Sequence, residues 1–145
     1  MTIKLMIAED ELLERKSLKY LVEKNYVSQI EIICETSNGK DAVEKALLLK
    51  PDIILMDIRM PGIDGLEASE IIKSRMPNTE IIILTAYGFF EYAQKAIQVG
   101  VSDYLLKPYS NEKFRITINK VLEKINQRKK DSSEKERIRK YVHNL

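Results

Sequence analysis

A chain of 145 residues, 44% hydrophobic and 32% charged, has the length and composition of one soluble domain with its own core. A net charge of +2 decides little, but one cysteine (Cys34) and one histidine (His143) exclude a disulfide framework and a cysteine zinc centre. No apolar run reaches the length of a membrane span, and Glu9, Asp10 and Glu11 interrupt the first one too early for a signal peptide, so the expected location is the cytoplasm with no membrane partner.

The first apolar run, residues 3–8, ends on Glu9-Asp10. Residues 11–25 then take a helical period, with Leu18, Leu21 and Val22 facing inward. The second run, 30–34, carries Cys34, read as a buried, inert thiol. Asn38 stands as an N-cap before a helix whose face is Ala42, Val43, Ala46 and Leu47. The third run, 53–56, ends on Asp57 and opens into Ile58-Arg59-Met60-Pro61-Gly62. Ala68, Ile71, Ile72 and Met76 form the next helical stripe, stopped by Pro77. The fourth run, 81–84, ends on Thr85, and Phe90, Ala93 and Ile97 make the stripe that follows, stopped by Gly100. The fifth, 101–106, ends on Lys107-Pro108, and Phe114, Ile118, Val121, Leu122 and Ile125 share one face of a longer helix.

After Ile125 the chain turns polar over residues 126–133. Ser133 and Glu136 have capping-box spacing, so a new helix or a continuation of the last one is expected to run to about residue 143, with His143 on the surface. Residues 128–145 hold seven basic and three acidic groups, a +4 tail that sets this region apart. The expected organisation is a domain over 1–125 and a basic helical linker or tail over 126–145.

Five short Ile-rich strands, apolar on both faces, alternate with five helices. This is the pattern of an α/β, doubly wound (βα)5 fold around a parallel sheet. Right-handed crossovers leave the order 2-1-3-4-5 as the natural candidate, with a C-terminal helical extension. That order brings the exits of strands 1 and 3 together at the switch point, where ligands bind. Glu9, Asp10 and Asp57 then meet there, flanked by Thr85 and Lys107.

Three carboxylates in one pocket repel one another, and raised pKa values or a cation must offset this. A hard divalent ion such as Mg²⁺ or Mn²⁺ suits one or two direct carboxylates, waters and a phosphate oxygen. Lys107 adds a mobile positive charge and Thr85 a hydroxyl. A carboxylate nucleophile, a divalent ion, a lysine and a hydroxyl match what phosphoryl transfer onto aspartate requires.

The motifs Glu9-Asp10, Leu-Met-Asp57-Ile-Arg59-Met-Pro-Gly-Ile-Asp-Gly, Thr85-Ala86 and Asp103-Tyr104-Leu-Leu-Lys107-Pro108 together resemble the receiver domain of a two-component response regulator, over roughly residues 1–125. The resemblance implies a flavodoxin-like receiver fold with Asp57 as phospho-acceptor and a sensor histidine kinase as donor. It implies Mg²⁺ held by Asp10, Asp57 and the backbone carbonyl of Arg59, with Glu9 acting through water. It implies Lys107 on the phosphoryl oxygens, a cis Lys107-Pro108 bond, and Thr85 and Tyr104 as the switch. The face of helix 4, strand 5 and helix 5 would carry the signal, and a homodimer on phosphorylation is among its expected outcomes. Arg59 and Tyr87 would flank the path of an attacking water and slow self-dephosphorylation; the alternative is that both point into solvent.

Residues 85–108 are similar to receivers joined to AraC-type helix-turn-helix domains. DNA would then be a partner only through an output domain outside this chain. Ile138, Val142 and Leu145 continue the apolar stripe of the last helix and offer a weak pairing face. A stand-alone receiver working by phosphotransfer or docking shares every site residue. An aspartyl-phosphate phosphatase would want an acid where Arg59 stands. A flavin-binding module would want a glycine-rich loop in place of Glu9-Asp10-Glu11, which repels phosphate unless a metal intervenes.

Overall fold

Apolar residues on both sides of each strand need two cores, and the chain builds them around one sheet. A computed structural model describes residues 2–144. The strands are β1 (Ile3–Ala8), β2 (Ile30–Thr36), β3 (Ile53–Met56), β4 (Glu80–Thr85) and β5 (Asp103–Leu106). They alternate with α1 (Leu12–Asn25), α2 (Gly39–Leu49), α3 (Gly65–Arg75), α4 (Phe90–Val99) and α5 (Asn111–His143). All pairings are parallel, as the strand–helix alternation implies, and the order is β2-β1-β3-β4-β5, the candidate read from the sequence.

Side chains alternate across the sheet. Leu5, Ile7, Ile53, Leu55, Ile82 and Leu84 pack with α1 and α5, through Leu18, Val22, Phe114, Ile118, Val121 and Ile125. Met6, Ala8, Ile54, Met56, Ile81 and Ile83 pack on the other side with Ala42, Ala46, Ala68, Ile72 and Ala96. Asn38 caps α2 by accepting from the Asp41 amide at 2.8 Å, and the Asp64 carboxylate caps α3 by accepting from the amides of Leu66 and Glu67. Lys107-Pro108 is cis.

Three features differ from the sequence reading. The stripe expected to bury α4 faces outward: Phe90 is 75% and Ile97 79% exposed, while Ala96 is buried and Tyr92 half-buried. Both sides of α4 are apolar, and the helix turns its small residue to the sheet. Ile71 is exposed on α3, where Ser69 takes the buried position and donates to the Gly65 carbonyl. Cys34 is half-buried rather than buried, although desolvation still pushes its thiol pKa up. Of the two expectations for the polar stretch 126–133, the structure takes the second, a continuation of the last helix. The stretch lacks Gly and Pro, Gln127 bonds Asp131 one turn on at 3.1 Å, and Ser133 lies inside the continuous α5. Leu145, the end of the proposed pairing stripe, lies outside the described residues. Among the described residues no helix is long and apolar enough to cross a membrane.

Candidate functional site

The register of β1 on β3 pairs Ala8 with Met56, so the residues that follow them leave the sheet side by side. The Asp57 amide donates to the Ala8 carbonyl at 3.0 Å, which fixes that juxtaposition. Glu9, Asp10 and Asp57 each offer a carboxylate oxygen, and these three atoms lie within 4.8 Å of one another. On the other side, the Lys107 amide donates to the Thr85 carbonyl at 2.8 Å, bringing the exit of β5 against that of β4.

Gly65 sets how close α3 comes to this site. A Cβ there would stand 1.9 Å from the Asp57 carbonyl oxygen, and the Gly65 amide donates to the Ile58 carbonyl at 2.8 Å. Only glycine allows that approach. Gly65→Ala is therefore expected to lower thermal stability by several degrees and to weaken any ligand binding at Asp57, both measurable by thermal melts with and without Mg²⁺.

The electrostatics follow from burial. Glu9 is 1% exposed, and desolvation, opposed by a hydrogen bond from Lys107, pushes its carboxyl up to about 7. Desolvation also raises Asp57, against the pull of Lys107 and a 2.9 Å bond from the Ile58 amide to Oδ1. Lys107 Nζ lies 3.0 Å from Glu9 and 3.4 Å from Glu14. One ammonium thus faces more carboxylates than it can neutralise. An all-oxygen donor set with surplus negative charge, partly open to solvent at the exposed Asp10, fits a hard divalent cation.

Thr85 is fully buried, and its Oγ1 accepts from the Tyr87 amide at 3.2 Å. The Tyr104 hydroxyl donates to the carbonyl of the same Tyr87. The two residues read from the sequence as a switch therefore hold one residue from both ends of its peptide frame. The guanidinium of Arg59 stacks on the Tyr87 ring, 4.7 Å from its centroid. Neither side chain simply points into solvent.

The response regulator receiver domain family matches residues 5–119. The chain belongs to that family. This receiver is 34% identical over its whole length to the sensory transduction protein LytT of Oceanobacillus iheyensis, covering 57% of that protein. It is 47% identical over 109 residues to the transcriptional regulatory protein YdfI of Bacillus subtilis, which spans 75% of this chain and 50% of YdfI. The chain spans about half the length of the curated relatives it matches. In structure it is similar to the receiver domain of the response regulator AraT from Geobacillus stearothermophilus, with a TM-score of 0.81 and 36% identity over 89% of this chain and 99% of that one.

Sequence reasoning passed over two parts of this receiver's site. Glu14, on the first turn of α1, faces Lys107 at 3.4 Å, and nothing in the sequence ties the two together. Tyr109 packs beside Phe114 with its hydroxyl pKa pushed up to about 12, chiefly by burial.

Proposed function

We propose that this receiver accepts a phosphoryl group on Asp57 from a sensor histidine kinase, in the cytoplasm, with Mg²⁺ bound. The observation that carries the reading is the cluster of Glu9, Asp10 and Asp57 within 4.8 Å, at the edge of which Lys107 stands. Asp10, Asp57 and the Arg59 carbonyl would hold the ion, with Glu9 supporting it through water. When bound, Mg²⁺ would screen the carboxylates from each other and from the incoming phosphoryl oxygens.

The rest is done by the protein's own groups. The ionised Asp57 carboxylate attacks phosphorus; the bond from phosphorus to its donor atom breaks, and the donor leaves with that electron pair. An acyl phosphate remains on Asp57. Lys107 gives up its contact with Glu9 to neutralise a phosphoryl oxygen. Thr85 turns its hydroxyl to another, which costs it the Tyr87 amide. Tyr104, bonded to the Tyr87 carbonyl, is released with that loop and swings inward. The face around α4, β5 and α5 then changes shape. Phe89, Phe90, Ile97 and Leu106, all exposed, give that face the apolar area a protein contact needs. A homodimer or an output domain is the proposed occupant, and the output is transcriptional control through a DNA-binding domain reached by residues 126–145.

The test is incubation with a small phospho-donor and Mg²⁺, read by intact mass. A gain of one phosphoryl group, lost when the ion is chelated, is expected. No gain at any Mg²⁺ concentration would overturn the reading.

The Arg59–Tyr87 pair supplies a second measurement. Stacked at the exit of β3, it would narrow the path of water to the acyl phosphate. A cation–π contact of about 0.5–1 kcal/mol corresponds to roughly a two- to fivefold change in rate. Arg59→Ala is expected to shorten the phosphoryl half-life by that factor, followed by mass against time, and Arg59→Lys by less. An unchanged half-life in Arg59→Ala would remove this role.

A further inference from the structure

At the opposite end of the sheet from Asp57, the chain buries a charge that the phosphorylation chemistry does not use. β4 begins on Glu80, only 1% exposed, in register with Ile53. The next four positions of the strand are isoleucine and leucine, which fill such a place with no desolvation cost. A buried carboxylate persists only when its partners are well placed. Glu80 has three, two from α5 and one from the turn before β5. Arg128 of α5 donates to Oε1 at 2.7 Å, Lys124 of α5 lies 3.2 Å from Oε2, and the Ser102 hydroxyl, one residue before β5, donates to Oε2. Arg128 also donates to the Asn78 carbonyl at 2.9 Å, so its guanidinium grips both a side chain and the loop before β4. Burial alone would raise the Glu80 pKa, but bonds from Ser102, Arg128 and Lys124 bring it below the usual value.

The position of Arg128 matters. The last core residue of α5 is Ile125. Beyond it, residues 126–143 carry no buried side chain, yet the helix continues without a break. An isolated polar helix of this length is marginal in water. Arg128 is one turn past Ile125, and it is where a polar anchor must sit to fix the direction in which such a helix leaves the domain.

We propose that Glu80 is a positioning residue for the tail: its carboxylate clamps Lys124 and Arg128 to the start of β4, so that α5 projects from the receiver as a rigid lever in one direction. Ser102 ties the same carboxylate to the entrance of β5, the strand that carries Tyr104. The lever is thus bonded to the strand expected to move, without passing through the sheet's core.

The test uses the full chain, unphosphorylated, so that it stands apart from the assignment of Asp57. Spin labels at Ser74→Cys on α3 and Arg139→Cys on the tail, in a Cys34→Ser background, report the lever's direction as a distance distribution. One narrow distribution is expected for the otherwise unaltered chain. Glu80→Gln and Arg128→Gln should each broaden it, and amide protection over residues 126–143 should fall by about tenfold, as for loss of a charge-assisted hydrogen bond. Protection of the amides of 81–84 should not change. Arg128→Lys, which keeps the charge, should restore most of the narrow distribution; a purely helix-forming role for the side chain would make glutamine and lysine equivalent. Should Glu80→Gln fail to fold, Arg128→Gln on the tail decides alone. An unbroadened distribution and undiminished tail protection in Arg128→Gln, or identical behaviour of the lysine and glutamine variants, would overturn the proposal.

Discussion

An Asp57→Asn chain takes up no phosphoryl group from a small phospho-donor under conditions where the parent chain gains one. The expected loss is at least about a thousandfold in initial rate, since the substitution removes the nucleophile itself and not a group that assists it. Asparagine keeps the shape and an oxygen that accepts from the Ile58 amide. The fold is therefore preserved, and the lost charge relieves repulsion from Asp10, so the variant should melt no lower than the parent chain. Lys107→Ala is the necessary companion. It leaves the nucleophile in place but strips the ammonium from Glu9 and Glu14, so uptake should slow without vanishing. Intact mass separates the two outcomes. A phosphoryl gain in Asp57→Asn equal to that of the parent chain would move the acceptor elsewhere, with Asp10 the next carboxylate to replace.

The fold and the acid cluster were legible because they depend on signals with few alternatives. Five apolar strands alternating with helices leave little choice of topology, and the topology alone delivers Glu9, Asp10 and Asp57 to one place. What stayed hidden depends on pairing across the chain. Nothing near Glu80 in sequence announces Arg128, 48 residues later. Nothing in Thr85 or Tyr104 says that both hold Tyr87. The error on α4 has a different origin. Phe90, Ala93 and Ile97 are a good helical stripe, but so are Tyr92, Ala96 and Val99, and periodicity cannot say which of two apolar faces meets the sheet. The bulk of Phe90 and Ile97 argued for burial; the structure buries the alanine and leaves the large side chains exposed. The polar stretch after Ile125 left two readings open for a related reason. Loss of apolar period marks the end of a core contact, which here is not the end of the helix.

The same acid cluster makes the protein's stability depend on pH in a way that Mg²⁺ should reverse. Glu9 titrates near 4.5 when exposed and near 7 in the folded chain, because burial disfavours its charge. An acid whose pKa rises on folding stabilises the fold while protonated, and that contribution is lost as pH rises through the folded value. Asp57 is shifted in the same direction. Glu80, whose pKa falls on folding, acts in the opposite sense, but only as pH drops below the usual carboxylate range, outside this window. His143, the single histidine, is exposed at the far end of the tail. The metal-free protein should therefore lose thermal stability between about pH 5 and pH 8, by several degrees. With millimolar Mg²⁺ the loss should disappear, because the ion binds the deprotonated cluster and competes with the proton. The Mg²⁺-induced rise in melting temperature should accordingly be small at pH 5.5 and large at pH 8. Glu9→Gln should flatten the metal-free profile while retaining part of the response to Mg²⁺ through Asp10 and Asp57. A melting temperature that responds equally to Mg²⁺ at both pH values would mean that the cluster is already ionised when empty, with Lys107 alone offsetting the carboxylates' repulsion.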